Sequence, residues 1–316
     1  MKIKLKGIWE ILKNSFSGFS SDKIMKLSAS LAYYTVFSVG PLLIVIVSIC
    51  SIFFGREAIE GTIYGQIQSF VGQDAAAQLQ EIIKNAAIGG KGHIAVVIGI
   101  ITLLIGATSM FAEMQDSINT IWGLKAKPQK KGWVILIKNR LLSFGVIGSL
   151  GFLLLVSLAI SGLIEALSKR LQAHFHNVAV VAFYIINLII TFGVISALFA
   201  VIFRVLPDAK IKWKDVMAGA IATAVLFMLG KFAISFYISK TNVGSTYGTA
   251  GSLVVLLVWI YYSSVILYFG AEFTKAYAIK YGDSIRPNDY AVATKTLEVD
   301  EGKKSLQQVH EEKKEE

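Results

Sequence analysis

Six long apolar runs, separated by polar segments, dominate this sequence. A helix needs about 20 residues to cross a hydrocarbon core of about 30 Å, so each run predicts one membrane-spanning helix. The runs are continuous and lack the period-2 alternation of a membrane barrel, so helices are favoured over strands. The pattern therefore predicts an all-α integral membrane bundle of six transmembrane helices within residues 29–281. The predicted spans are Ala29–Phe53, His93–Glu113, Leu141–Ile164, Val178–Phe203, Val216–Ile238 and Gly251–Thr274.

Amphipathic and polar segments surround the predicted spans. Residues 1–28 place Leu5, Ile8, Leu12 and Phe16 at helical spacing between lysines, which predicts a helix on the inner membrane face or one packed against the bundle. The loop 54–92 contains two apolar stripes broken near Asp74, which predicts two amphipathic extracytoplasmic helices. The tail, residues 282–316, is polar and is predicted to be mostly disordered.

The basic residues predict the orientation. Hydrophobic residues make up 54% of the chain and charged residues only 16%, which excludes an ordinary soluble domain. Of the 31 Lys and Arg residues, 24 flank one set of span ends and six flank the other. Since basic residues accumulate on the cytoplasmic side, both termini are predicted to lie in the cytoplasm. The net charge of +10 is thereby explained by topology, and nucleic acid is not an expected partner.

Recognisable catalytic motifs are missing from the sequence. Cys50 is the single cysteine, and four histidines occur, of which His174 and His176 share an external loop. No acidic residue or cysteine flanks that pair at ligand spacing, so no metal site, cofactor or catalytic residue is predicted.

A polar stripe runs along the first predicted span. Tyr34 and Ser38 lie one turn apart on the same helical face, and Pro41 is predicted to kink the helix one turn later. These side chains are interpreted as the wall of a polar cavity or, alternatively, as contacts that hold neighbouring helices together.

Lys231 is the one charge predicted far from a span end. The side chain of Lys231 could extend to the outer interface or pair with Glu165. Alternatively, it could contact an anionic ligand in a cavity, with Tyr237 and Asn187 as candidate neighbours. If Lys231 does contact an anionic ligand, the expected partners are membrane lipids and an anionic amphiphile.

Three charged residues lie at predicted cytoplasmic span ends. They are Glu113, Arg204 and Glu272. Isolated charges at that depth are costly, so Arg204 is predicted to pair with one or both acids, as a structural cluster or an inner gate.

Four segments share their sequence and their order along the chain with one known family: residues 31–43, residues 108–122, residues 203–220 and residues 247–273. Together they resemble the YihY/BrkB family of bacterial inner-membrane proteins, and the resemblance implies a location in the bacterial inner (plasma) membrane. The resemblance implies a six-helix inner-membrane protein linked to virulence and envelope lipid biology. It also brings an older label, ribonuclease BN, a tRNA-processing nuclease.

Three functions follow as hypotheses. The first is movement or handling of an amphiphilic envelope molecule, a lipid or lipid-linked precursor, through an intramembrane polar cavity. The second is a membrane-anchored hydrolase, including the ribonuclease; the acids Asp116, Asp208 and Asp215, however, share no metal-binding motif. The third is a non-transport envelope scaffold. The substrate, energy source and oligomeric state are left open.

Overall fold

The computed structural model describes residues 5–38, 76–77, 80, 93–127, 178–241, 251–282 and 285–294. The described part of the chain is mainly helical. The helices are α1 (Leu5–Ser21), α2 (residues 24–38), α3 (His93–Ile121), α4 (Val178–Val205), α5 (Trp213–Thr241) and α6 (Gly251–Tyr281). Four short strands follow helix ends: β1 (Leu124–Ala126), β2 (Ala209–Lys210), β3 (Arg286–Pro287) and β4 (Ala291–Ala293).

Several predictions concern residues that the structure does not describe. The span Leu141–Ile164, the kink at Pro41 and nearly all of the loop 54–92 lie outside the described residues.

Three of the described helices contain stretches long and apolar enough to cross a membrane. The stretches are Ile185–Val205, Trp213–Ile238 and Leu253–Tyr281. They coincide with the last three predicted spans, whereas the full count of six is not established by the described residues. Helix α6 has 31 residues, which is about 46 Å at 1.5 Å per residue. It is therefore longer than a hydrocarbon core of about 30 Å requires.

Helix α5 packs between α4 and α6. Its contact with α6 is close because two glycines face two threonines: a Cβ at Gly219 would collide with the Thr274 hydroxyl, and one at Gly270 would collide with the Thr223 hydroxyl. Each threonine hydroxyl donates a 2.7 Å hydrogen bond to the carbonyl four residues earlier in its own helix, Thr223 to Gly219 and Thr274 to Gly270. The contact thus buries small polar groups without leaving them unpaired.

Helix α1 packs along the end of α6. Phe16 lies 5.1 Å from Phe269 between ring centroids, and Lys280 pairs with Glu10. The far side of α1 still exposes Trp9 and part of Phe16.

The strands join the helix ends on one side of the bundle. Strand β1, after α3, pairs antiparallel with β4, and β2, between α4 and α5, pairs antiparallel with β3. The ends of α3, α4 and α6 and the start of α5 therefore meet at one end, called the basal end below. Residues 285–294 of the tail are ordered, because the loops after α3 and α4 supply partners for their backbone groups. The prediction for the remainder of the tail concerns residues outside the described part of the chain.

Candidate functional site

A buried carboxylate, Glu272 on α6, is the centre of the candidate site. The residue is only 2% exposed. The Lys275 ammonium, one turn later, lies 3.5 Å from Glu272 Oε2 and donates a 3.2 Å hydrogen bond to Asp22 Oδ2. Asp22 lies at the turn between α1 and α2. One lysine is thus shared by two carboxylates, and these three residues form the Asp22–Lys275–Glu272 cluster.

The local sequence of the α1–α2 corner creates the space for this cluster. A Cβ at Gly18 would lie 2.5 Å from Glu272 Oε2, so only glycine allows α1 to pass so close to the carboxylate. Lys23 has a φ of 53°, a left-handed conformation that is uncommon for a residue with a side chain. This backbone reversal starts α2 directly after Asp22.

Several buried polar atoms lack a hydrogen bond of ordinary geometry to another described residue. They are Glu272 Oε1, the Tyr268 hydroxyl, Ser117 Oγ, Ser28 Oγ and Trp259 Nε1. The Tyr268 phenol and the Ser117 hydroxyl nevertheless lie close enough to interact with each other. Tyr268 is fully buried and lies one turn before Glu272, on the same face of α6. Leaving such groups unpaired costs about 1–3 kcal/mol each.

Ser117 of α3 approaches this face, because its hydroxyl lies within hydrogen-bonding range of the Tyr268 phenol. A Cβ at Gly106 of α3 would lie 2.8 Å from Ser38 Oγ of α2, so α2 lies directly beside α3. Glu272, Tyr268 and Ser117 are called the interior polar file below.

A second buried acid, Asp208, lies at the basal end just after α4. Asp208 is 4% exposed. Its Oδ1 accepts a 3.0 Å hydrogen bond from Gln115, and its Oδ2 accepts a 2.9 Å bond from the Asn119 amide. The Asp208 backbone N–H donates a 2.9 Å bond to Asn119 Oδ1. Both carboxylate oxygens are paired, so this acid acts as a structural link between α3 and the α4–α5 connection.

Tyr290 belongs to the same link. Partial burial, followed by the negative charge of Asp208, raises the pKa of the Tyr290 phenol above its usual value. The Asn288 amide donates a 3.2 Å hydrogen bond to the Tyr290 hydroxyl, and the Asn288 N–H donates to the Asp208 carbonyl. The ordered part of the tail is thereby tied to the bundle.

A cavity of about 310 Å³ opens beside the cluster at the basal end. Its walls come from the end of α3, the end of α6 and the ordered tail. The lining residues are Trp122, Lys275, Ala278, Ile279 and Ile285. The mainly apolar wall with one ammonium group is compatible with a small amphiphilic anion.

The predicted pairing of Arg204 is not found in the described residues. The Arg204 guanidinium lies 5.8 Å from the centre of the Trp213 ring, and no ion pair within the described ranges joins it to Glu113 or Glu272. The cation beside Glu272 is Lys275 instead of Arg204. Lys275 lies three residues after Glu272 on the same helix, so their contact does not require a second helix to come close. The cation–π contact holds Arg204 at the α4–α5 corner instead.

The structure distributes the residues of the predicted ligand cavity over several surfaces. Ser38 is buried and donates a 2.7 Å bond to the Tyr34 carbonyl, while the Tyr34 side chain is partly exposed beside Tyr33. Asn187 and Tyr237 are exposed on α4 and α5. Lys231 is half-buried on α5. A ligand role for these residues stays a prediction.

Sequence reasoning missed Asp22, Lys275 and the Asp208 link. Lys275 could have been found from its i+3 spacing to Glu272. Asp22 and Asp208 could not, because their partners lie far away in sequence.

A polytopic helical membrane protein with a charged, partly unsatisfied interior is the class that this architecture defines. The family model of the virulence factor BrkB matches residues 15–293. The chain belongs to this family, as the resemblance in its sequence indicated.

Its relatives are named as membrane proteins. A UPF0761 membrane protein of Methylibium petroleiphilum is 27% identical over 265 residues, covering 83% of this chain and 61% of the relative. One from Stenotrophomonas maltophilia strain K279a is 28% identical, covering 82% and 59%. One from Pseudoalteromonas atlantica is 25% identical, covering 84% and 85%. The chain spans about three fifths of the length of the first two. No solved structure matches the chain.

Proposed function

We propose that this protein moves or handles an amphiphilic envelope molecule, a lipid or a lipid-linked precursor, through a polar path inside its helical bundle. The observation that carries the proposal is the interior polar file, above all the buried carboxylate oxygen of Glu272, which lacks a partner among the described residues. Ionisable groups at membrane depth are expensive and are usually kept for function.

The wider arrangement supports a path rather than a packed scaffold. A scaffold gains nothing from a buried carboxylate oxygen without a partner among the described residues, because an apolar side chain of the same shape would pack at lower cost. A translocated polar headgroup, by contrast, needs groups that are free to exchange partners. The cavity beside Lys275 adds an entrance lined by apolar residues and one ammonium group.

Lys231 extends the proposal toward the other end of α5. We infer that its ammonium contacts an anionic headgroup, and we keep Tyr237 of the same helix and Asn187 of α4 as the candidate neighbours. The described residues contain no group of three or more His, Cys, Asp or Glu side chains placed to hold a metal ion. No observation in them favours the hydrolase hypothesis.

The test is lipid movement in liposomes that contain the purified full-length chain. Headgroup-labelled fluorescent phospholipids, anionic and zwitterionic, are quenched from outside by a membrane-impermeant reductant. The wild type is expected to expose inner-leaflet label faster than protein-free liposomes. Glu272→Gln and Lys231→Met are each expected to slow this step about tenfold, equivalent to about 1.4 kcal/mol of lost interaction.

Asp289→Asn is the matched control. Asp289 is a strongly exposed acid paired with Lys210 at the surface, so its loss is expected to leave the rate unchanged. Wild-type liposomes that expose label no faster than empty ones would contradict the proposal. Cleavage of tRNA by the same sample would favour the hydrolase instead.

A further inference from the structure

We propose that the Asp22–Lys275–Glu272 cluster is a proton-binding site, in which one exchangeable proton is held on Glu272 next to the carboxylate of Asp22. The inference rests on the proposed function only for the role of that proton, as the ion that couples to movement of the amphiphile. The binding site itself follows from the geometry of the cluster.

The charge count is the first argument. Two carboxylates and one ammonium leave one uncompensated negative charge if all three groups are ionised. The Glu272 side chain is 3% exposed, so a net charge on it would carry a large desolvation cost. Binding one proton removes that charge.

The hydrogen-bond geometry shows where the proton fits. Lys275 lies on the Oε2 side of Glu272 and also donates to Asp22, while Glu272 Oε1 has no donor or acceptor among the described residues. Gly18 presses against the same carboxyl group, so the side chain cannot swing toward α1 to find another partner. A protonated Glu272 gains an O–H group, and the Asp22 carboxylate lies within hydrogen-bonding range of the Glu272 side chain and can accept that bond.

The charged groups around Glu272 are mainly acidic. From the α1–α2 turn comes Asp22, and from α6 itself comes Lys275, with the Tyr268 phenol one turn away. Beyond Tyr268, α3 contributes Glu113 and Asp116 at electrostatic range of the phenol. Helix α5 faces this part of α6 with the small groups Gly219 and Thr223, which carry no charge. This environment favours the proton over the bare carboxylate.

Exchange with water has a visible route. The side chains of Asp22 and Lys275 are 25% and 29% exposed, whereas Glu272 is enclosed. A proton from the basal solution can therefore bind Asp22 first and pass to Glu272. On the inner side, Tyr268 continues the interior polar file away from the solvent.

The test is infrared difference spectroscopy of the full-length chain in liposomes, between mildly acidic and mildly alkaline buffer. We expect a protonated-carboxyl band that shifts when glutamate, but not aspartate, is labelled with carbon-13. The band should be absent from Glu272→Gln, whose amide keeps the shape of the side chain, and present in the surface control Asp289→Asn. In Asp22→Asn the band should still be present, but it should disappear at a lower pH than in the wild type. The reason is that the Lys275 ammonium then compensates the charge of Glu272 alone, which favours the ionised carboxylate.

Each remaining outcome is decisive. A band that is unchanged in Glu272→Gln overturns the inference, and so does a Glu272 band that responds to added sodium at constant pH, which would assign a metal cation to the cluster. If the band behaves as expected while no lipid moves, the proton site stands and the proposed function fails. If lipid moves at a rate independent of pH and the band is missing, the inference alone fails.

Discussion

Asp208 shows how one side chain can organise the basal end. Its two carboxylate oxygens and its backbone N–H bind Gln115 and Asn119 on α3, and its carbonyl accepts from Asn288 in the tail. Three segments that are distant in sequence thus meet at one residue. Hydrogen bonds to a charged group are stronger than neutral ones, so this acid is expected to contribute to stability rather than to transport.

Replacing Asp208 should therefore destabilise the protein. In Asp208→Asn one amide group would face the donors of Gln115 and Asn119, leaving at least one donor unpaired, at about 1–3 kcal/mol. The expected result is a lower midpoint of thermal unfolding in detergent, measured by the loss of the monodisperse chromatographic peak. Asp289→Asn, at the exposed Lys210 pair, should melt like the wild type. Equal midpoints for both variants would contradict the structural role of Asp208.

The contact between α5 and α6 operates at the scale of whole elements. Gly219 faces Thr274 and Gly270 faces Thr223, so each helix offers a small residue where the other carries a hydroxyl. Close approach of this kind replaces the hydrophobic driving force that is absent between helices in lipid. Most of the buried core lies around this contact and the neighbouring α4, with Phe203, Val216 and Tyr268 fully enclosed.

Gly219→Ala should separate α5 from α6. The added methyl group would overlap the Thr274 hydroxyl, which cannot move without losing its bond to the Gly270 carbonyl. Overpacking of this type costs about 1–3 kcal/mol. The measurement is the thermal midpoint of the purified variant, compared with that of Gly193→Ala.

Gly193 provides a matched glycine control. It lies inside α4, and a Cβ there would meet no atom within 4 Å. Its replacement by alanine should leave the midpoint unchanged or raise it slightly, because alanine favours a helix by about 0.5–1 kcal/mol over glycine. If Gly219→Ala were as stable as Gly193→Ala, the close contact would not be rigid.

At the scale of the whole molecule, the basal end joins the described helices α3, α4, α5 and α6. The two small sheets join the ends of α3, α4 and α6, and α1 lies along the same part of α6. Helices that cross a membrane in alternating directions must have these ends on the same side, as they do here. The basic residues predict that this side is cytoplasmic.

Reporter fusions test the orientation. A reporter that is active only inside the cell, fused after Glu316, is expected to be active, and one inserted near Asp74 is expected to be inactive. A periplasm-dependent reporter should give the opposite pattern at both positions. Activity of the cytoplasmic reporter at Asp74 alone would reverse the predicted topology.

The sequence by itself determined the features that depend on neighbouring residues. Membrane insertion depends on the apolar content of a continuous run, so the last three spans could be located from their apolar runs alone, and ordered motifs were enough to recognise the family. The amphipathic N-terminal helix was equally readable, since its 3.6-residue period is local.

Only the tertiary structure decided which polar groups meet. Asp22 and Lys275 lie near opposite ends of the sequence, and Asp208 and Asn119 belong to two different predicted loops. The meeting of Asp22 with Lys275 depends on how α1 packs against α6, which no periodicity encodes. Charge pairing acts over a few ångströms of space, and the sequence specifies that space only through the complete fold.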